Sequence, residues 1–162
     1  MERIGARRLP GSVNRGGELV RSIAMTQGND ERALIEAYFD VIRDGGIDRL
    51  AGIVTDDYVD HDRMRAQMPG RFGVMQKTLW FREQHPGAVM VIEDVVVTFD
   101  GAPGSAGGPP TPIVRATWTT KAPHLDGTPA ITTWRYVGEF ELRDGKIRSS
   151  KVERIGQVGA PA

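Results

Sequence analysis

Asp60, His61 and Asp62 stand side by side in the run TDDYVDHDR, Thr55 to Arg63. Two carboxylates flanking an imidazole are the ingredients of proton transfer. Taking a proton from beside a carbonyl needs a base whose pKa approaches working pH. Burial moves a carboxylate toward that range, and a neighbouring His can relay the proton or hold the carboxylate's orientation. The same residues would serve equally as solvated strand-end charges around a satisfied core His, and the residues alone leave both readings open. A second set lies in RDGKIRSSKVER, Arg143 to Arg154, where Ser149, Lys151 and Glu153 share one strand parity and so face one way. Facing inward, the Lys151 charge beside Glu153 favours an electrostatic role over that of a general acid. Facing outward, the three form a polar solvent or dimer face, and Val152 points to the core. His124, in KAPHLDG, lies at a strand end beside a turn, where a lone His is either a site residue or simply exposed. Trp118, Trp134, Tyr136 and Phe140, with Tyr58, are the aromatic candidates for lining an apolar cavity that stacks on a flat ring system; Trp134 and Tyr136 are the two expected to touch a ligand.

The rest of the composition mainly excludes. The 162 residues include 21 basic and 21 acidic side chains, a formal net charge of zero. That leaves no basic excess for nucleic acid or an anionic membrane. The lack of cysteine removes disulfides, thiolate nucleophiles and Cys-ligated zinc. His61, His85 and His124, joined by Asp62, could in principle surround a metal, but no pair has the i,i+4 helical or two-residue strand spacing that presents ligands together, so no metal is expected. GAPGSAGG (101–108) lacks the Lys of a phosphate loop and the strand–helix setting of a dinucleotide fingerprint. No nucleophile elbow supports Ser chemistry. The expectation is a small-molecule site working without a cofactor. The N-terminal region has no apolar run of signal-peptide or membrane length, and a cytoplasmic protein is expected.

These residues need elements to position them. Residues 1–27 hold five Arg, two Glu and four Gly with little periodicity. Such a composition buries too little surface to order itself, so the segment reads as a disordered extension with Met25 as the natural beginning, the other reading being a basic arm or transit segment. A single domain is expected over 28–158, followed by a short tail, 159–162. From Asn29 the apolar spacing of Leu34, Ile35, Tyr38, Phe39 and Ile42 predicts a helix, capped by Asn29 or Asp30 and stopped at Gly45-Gly46. Asp48 caps a second short helix through Leu50 and Ile53. Tyr58 to His61 alternates like a strand. Pro69-Gly70 opens a third helix, Phe72 to about Gln84, whose apolar positions include Val74, Met75, Leu79 and Phe81; Pro86 ends it, and Arg82 complements its C-terminal dipole. Val89–Phe99, Ile113–Ala122, Ile131–Leu142 and Ile147 to about Val158 all read as strands, with Asp144-Gly145 the strongest hairpin signal. The Gly/Pro-rich connector 100–112 reads as a flexible hairpin loop. Helices followed by strands argue an α+β fold: three N-terminal helices packed on a strongly curved, mainly antiparallel sheet, a cone-shaped cup with a ligand cavity at its mouth. An apolar outer sheet face would need a cover, so a homodimer through that face is expected.

That order of elements, with ALIEAYFDVIRDGGIDRL, DDYVDHD, a Gly-led helix ending in FREQHPG, VIEDVVV, a Trp-bearing strand reaching His124, and GEFELRDGKI, resembles the SnoaL-like polyketide cyclases of the nuclear transport factor 2-like superfamily. The likeness runs from roughly Glu31 to Gln157. It implies a cup-shaped, often dimeric domain doing cofactor-free chemistry: aldol closure, isomerisation, epoxide opening or dehydration. In that comparison Asp62 matches the proton-moving carboxylate after the first strand, with His61 beside it. Glu153 would stand in for an acidic residue of the last strand, whose usual place after GKI holds Arg148, Ser149 and Ser150, and His124 falls near a His of the family. The chain departs from the pattern at His85-Pro86-Gly87 and in its long Gly/Pro insertion. The implied function is acid/base chemistry on a small, largely apolar carbonyl compound. The alternatives are a non-catalytic ligand-binding or protein-interaction module of the same fold, and an epoxide hydrolase or dehydratase-type lyase.

Overall fold

The computed structural model describes residues 15–100, 110–124 and 131–158. Its elements are α1 (Arg15–Asp44), a 3-10 turn (Ile47–Arg49), α2 (Leu50–Ile53), β1 (Val54–Asp60), α3 (Gly70–Gln84), β2 (Val89–Asp100), β3 (Thr111–Pro123), β4 (Ile131–Arg143) and β5 (Lys146–Val158). Of the extension expected to be disordered over 1–27, residues 1–14 lie outside that description and 15–27 are helical; of the loop expected to be flexible over 100–112, residues 101–109 lie outside it, as does the tail 159–162. Helical backbone runs continuously from Arg15, so Asn29 and Asp30 lie within α1 and do not cap it. Asp48 sits in the 3-10 turn, ahead of α2, and neither short element has a side-chain cap. Arg82 reaches beyond its own helix to donate to the Arg43 carbonyl at the last turn of α1, satisfying a carbonyl the helix end leaves open.

The protein is α+β, with a five-stranded mixed sheet ordered β1-β5-β4-β3-β2. β2, β3, β4 and β5 form an antiparallel meander, while β1 joins the β5 edge in parallel, with Val54 opposite Ile147 and Asp60 opposite Ser150. This parallel pair brings the TDDYVDHDR and RSSKVER segments together. The His61 amide then donates to the Ser150 carbonyl at 2.9 Å. The β4–β5 turn is tight because Asp144 and Gly145 take φ of 54° and 71°, the twin positive values that a two-residue hairpin requires.

One face of the sheet is covered by α1, which crosses β2 and β3, and by α3, which packs on β1 and α1. On β3 the even positions Val114, Ala116, Trp118 and Thr120 are buried under the helices, and on β4 Phe140 and Leu142 match them. Ile35, Tyr38, Phe39 and Val41 of α1 complete this core. α3 departs from its expected face. Leu79 and Trp80 are about half exposed, whereas Gly73, Val74 and Thr78 are buried. The helix closes on the sheet with a mixed apolar and polar stripe, Val74, Thr78 and Phe81, beside Lys77.

Candidate active-site cavity

Between the two helices and the inner sheet face lies a cavity of about 210 Å³. α1 contributes Tyr38, Phe39 and Ile42, and α3 contributes Val74, Lys77, Thr78 and Phe81. The sheet supplies Met90, Trp118, Thr120, Tyr136 and Phe140, then Ser150 and Val152 from β5. Cross-strand pairing explains the aromatic wall: Trp118 lies directly opposite Tyr136, and their rings stack at 5.5 Å with planes 16° apart. Gly138, next on β4, leaves room for this. A Cβ there would fall 2.9 Å from both the Trp118 and Phe140 rings.

The polar side of the cavity has two parts. The first is a set of hydroxyls. Tyr58, buried behind the wall, shares a 2.5 Å hydrogen bond with Ser150 Oγ in which either hydroxyl can donate, and Tyr38 brings a third hydroxyl to this side. Burial pushes the Tyr38 phenol well above its ordinary value and the Tyr58 phenol up to about 12, so both stay protonated as hydrogen-bond donors at neutral pH. The second is an ion pair. Lys77 Nζ donates to Asp60 Oδ2 at 2.8 Å, with the Asp60 side chain only 4% exposed and Lys77 33%. Gln67 Nε2 donates to the same oxygen at 3.0 Å, and the Asp62 amide donates to Oδ1 at 3.0 Å. Burial acts to raise the Asp60 pKa, but the Lys77 hydrogen bond and charge, with Gln67 and the amide, outweigh it and hold the carboxyl below its usual value.

The residues singled out from sequence are distributed unevenly around this cavity. Trp118 and Tyr136 line it. Tyr58 meets it through Ser150. Trp134 is instead covered by the His85 ring, 5.8 Å away in an edge contact. Asp62 is exposed and accepts the amide of Val152, a wall residue. His61 is also exposed and lines an open cleft on the outer sheet face with Lys151, Glu139 and Glu141. Glu153 pairs with Val137 in the ladder, on the outer parity, and is exposed. His124 Nε2 lies 2.6 Å from Thr132 Oγ1 at an exposed strand end. Asp62, His61, Glu153 and His124 are thus not gathered around one space. Among the described residues, no three His, Asp or Glu are placed to hold a metal ion. No described helix is long and apolar enough to cross a membrane.

Lys77, Thr78, Ser150 and the pairing role of Asp60 escaped the sequence reading. The signal for Ser150 was available, since it shares parity with Val152. Lys77 sits four residues before Phe81 and three after Val74, on the stripe that α3 turns inward.

Solved structures share this fold. A candidate scytalone dehydratase from Novosphingobium aromaticivorans superposes with a TM-score of 0.64 at 10% identity, over 88% of this chain and 93% of that one. A SnoaL-like polyketide cyclase from Agrobacterium tumefaciens gives 0.56 at 16% identity, over 75% and 87%. A candidate polyketide cyclase from Bacillus cereus gives 0.55 at 20% identity; that match covers 68% of this chain and 64% of the other, just under two thirds. At such identities the likeness is one of fold. No curated protein matches the chain. The family described as the SnoaL-like domain matches residues 35–150. Because that match spans well over half of the chain, the protein belongs to the SnoaL-like domain family, and it has the nuclear transport factor 2-like fold.

Proposed function

We propose that the chain is a cofactor-independent enzyme that binds a compact, largely apolar carbonyl compound and promotes its enolisation, the step common to aldol closure, isomerisation and dehydration beside a carbonyl. The observation that carries this reading is the Tyr58–Ser150 hydroxyl pair ending in the wall of an apolar cavity. With the Tyr58 phenol donating to Ser150, one of the two directions this contact allows, the Ser150 proton is left to donate into the cavity. A hydrogen-bonded pair of this kind polarises its terminal donor. A carbonyl oxygen placed there would meet a donor aimed at the atom on which negative charge develops. We assign the accepting of the carbon-bound proton to Asp62, whose carboxylate holds the Val152 amide at the edge of the wall, with His61 beside it. Glu153 and His124 have no part in this assignment.

Size limits the substrate. An apolar cavity of about 150 Å³ takes up benzene, so 210 Å³ suits one ring or two and not a large fused system. The names of the relatives, polyketide cyclase and scytalone dehydratase, agree with a cyclisation or a dehydration. A second reading, a binding module without chemistry, is favoured by the exposure of His61, Asp62, Glu153 and His124.

Solvent-deuterium exchange at the α-carbon of one- and two-ring ketones, followed by proton NMR, separates the two. Exchange above the buffer rate is expected, falling at least tenfold in Ser150→Ala and in Asp62→Asn. Ketones that bind yet exchange only at the buffer rate would establish the module.

A further inference from the structure

Lys77 is the sole formally charged side chain among the described residues lining the cavity. Its partner Asp60 is not part of that lining, and its carboxylate is saturated from behind by Lys77, Gln67 and the Asp62 amide. The pair therefore straddles the wall, with the buried anion outside the lining and the Lys77 side chain part of it. Lys77 Nζ has three N–H groups, and Asp60 Oδ2 is the one acceptor it meets among the described residues. Two donors are left for whatever fills the space. In an apolar enclosure such a cation attracts an anion far more strongly than it would in water. Water satisfies it less well as the aromatic and aliphatic walls close around a ring.

We propose that the cavity selects ring compounds bearing an ionised oxygen, a carboxylate above all, and that Lys77 is the residue that reads it. This rests on the reading of the cavity as a small-molecule site, but it does not depend on enolisation. It narrows the substrate to a one- or two-ring carbonyl compound with an acidic substituent. The ring lies against Trp118 and Tyr136, and the oxyanion lies on the Lys77 ammonium. Asp60 acts as a positioning residue, since it fixes the ammonium against the wall and touches no ligand.

The test uses the full chain and two probes of equal shape, 2-naphthoate and its neutral isostere 2-naphthamide, with dissociation constants measured by titration calorimetry at neutral pH. Naphthoate is expected to bind at least tenfold more tightly than the amide. Lys77→Arg should keep that preference. Lys77→Met should abolish it while leaving amide binding within about threefold. Because Lys77→Met alone strands the Asp60 charge, the double variant Lys77→Met/Asp60→Asn is measured as well, and it too should bind both probes equally. Equal binding of the probes by the wild type, or a preference that survives in the double variant, overturns the anion proposal and leaves the cavity intact as a neutral-ligand site. Binding of neither probe overturns both. If naphthoate is preferred while ketones fail to exchange, only the enolisation reading falls.

Discussion

Asp56, Asp57, Asp60 and Asp62 lie within seven residues, yet only Asp60 has a side chain withdrawn almost completely from solvent. Its folded pKa is depressed by Lys77, Gln67 and a backbone amide acting against burial. An unfolded aspartate titrates near about 3.9, so the stability this carboxylate contributes is present above that pH and is lost as pH falls through the lower folded value. Urea unfolding between pH 7 and 3 should show the wild type losing stability on acidification more steeply than Asp60→Asn; parallel profiles would mean the ion pair contributes nothing. Removing the cation has a different consequence. Lys77→Met leaves a buried carboxylate short of a donor, and a loss of about 2 kcal/mol is expected at neutral pH, because a partly solvated pair costs less to break than a fully buried one. Most of that loss should return in the Lys77→Met/Asp60→Asn double variant. If it does not, Lys77 stabilises through its packed methylenes.

At the scale of elements, the inner register of β3, β4 and β5 decides the shape of the cavity. Trp118–Tyr136, Val114–Phe140 and Phe140–Ser150 are facing pairs on one surface, and Arg115–Glu139–Lys151 is a row on the other. Gly138 belongs to the inner surface, and a methyl group there would collide with the Trp118 and Phe140 rings. Gly138→Ala should therefore lower stability by about 1–3 kcal/mol, the usual cost of overpacking, and should weaken ligand binding by displacing Trp118. Thermal unfolding together with probe titration checks both, and an unchanged melting temperature would show that the aromatic wall has room to move. Irregular pairing between Glu141 and Leu142, opposite Ser149 and Ile147, puts Ile147 and Ser150 both inward although they are three residues apart. A regular strand would have turned one of them out. That shift was not legible from alternation.

For the whole molecule, the outer sheet face remains to be explained. Val91, Val96 and other apolar side chains stand there half-exposed beside the Arg115–Glu139–Lys151 row. We retain a homodimer through this face as a proposal. The row alternates in sign, so a two-fold related copy can set Glu139 against the partner's cations. Light scattering of the purified chain should give twice the chain mass, and Val96→Asp should convert it to the single-chain mass with the fold intact by circular dichroism. A wild type that elutes as a single chain at all concentrations removes the proposal.

Helices before strands, the tight turn at Asp144-Gly145 and the alternation of Trp134, Tyr136, Phe140 and Leu142 were all readable from the amino acids, because local periodicity and backbone preference decide them. So was the family, which needed only the order of motifs. Tertiary structure decided which members of the two polar segments turn toward the cavity. The parallel pairing of β1 with β5, separated by most of the chain, selected Tyr58, Asp60 and Ser150 for the interior and left His61, Asp62 and Glu153 exposed. It also gave Asp60 its partner from α3, 17 residues away in sequence. Charge-bearing residue types announce possible chemistry, but strand register and helix rotation determine which of them leave water, and those depend on contacts between segments far apart in the chain.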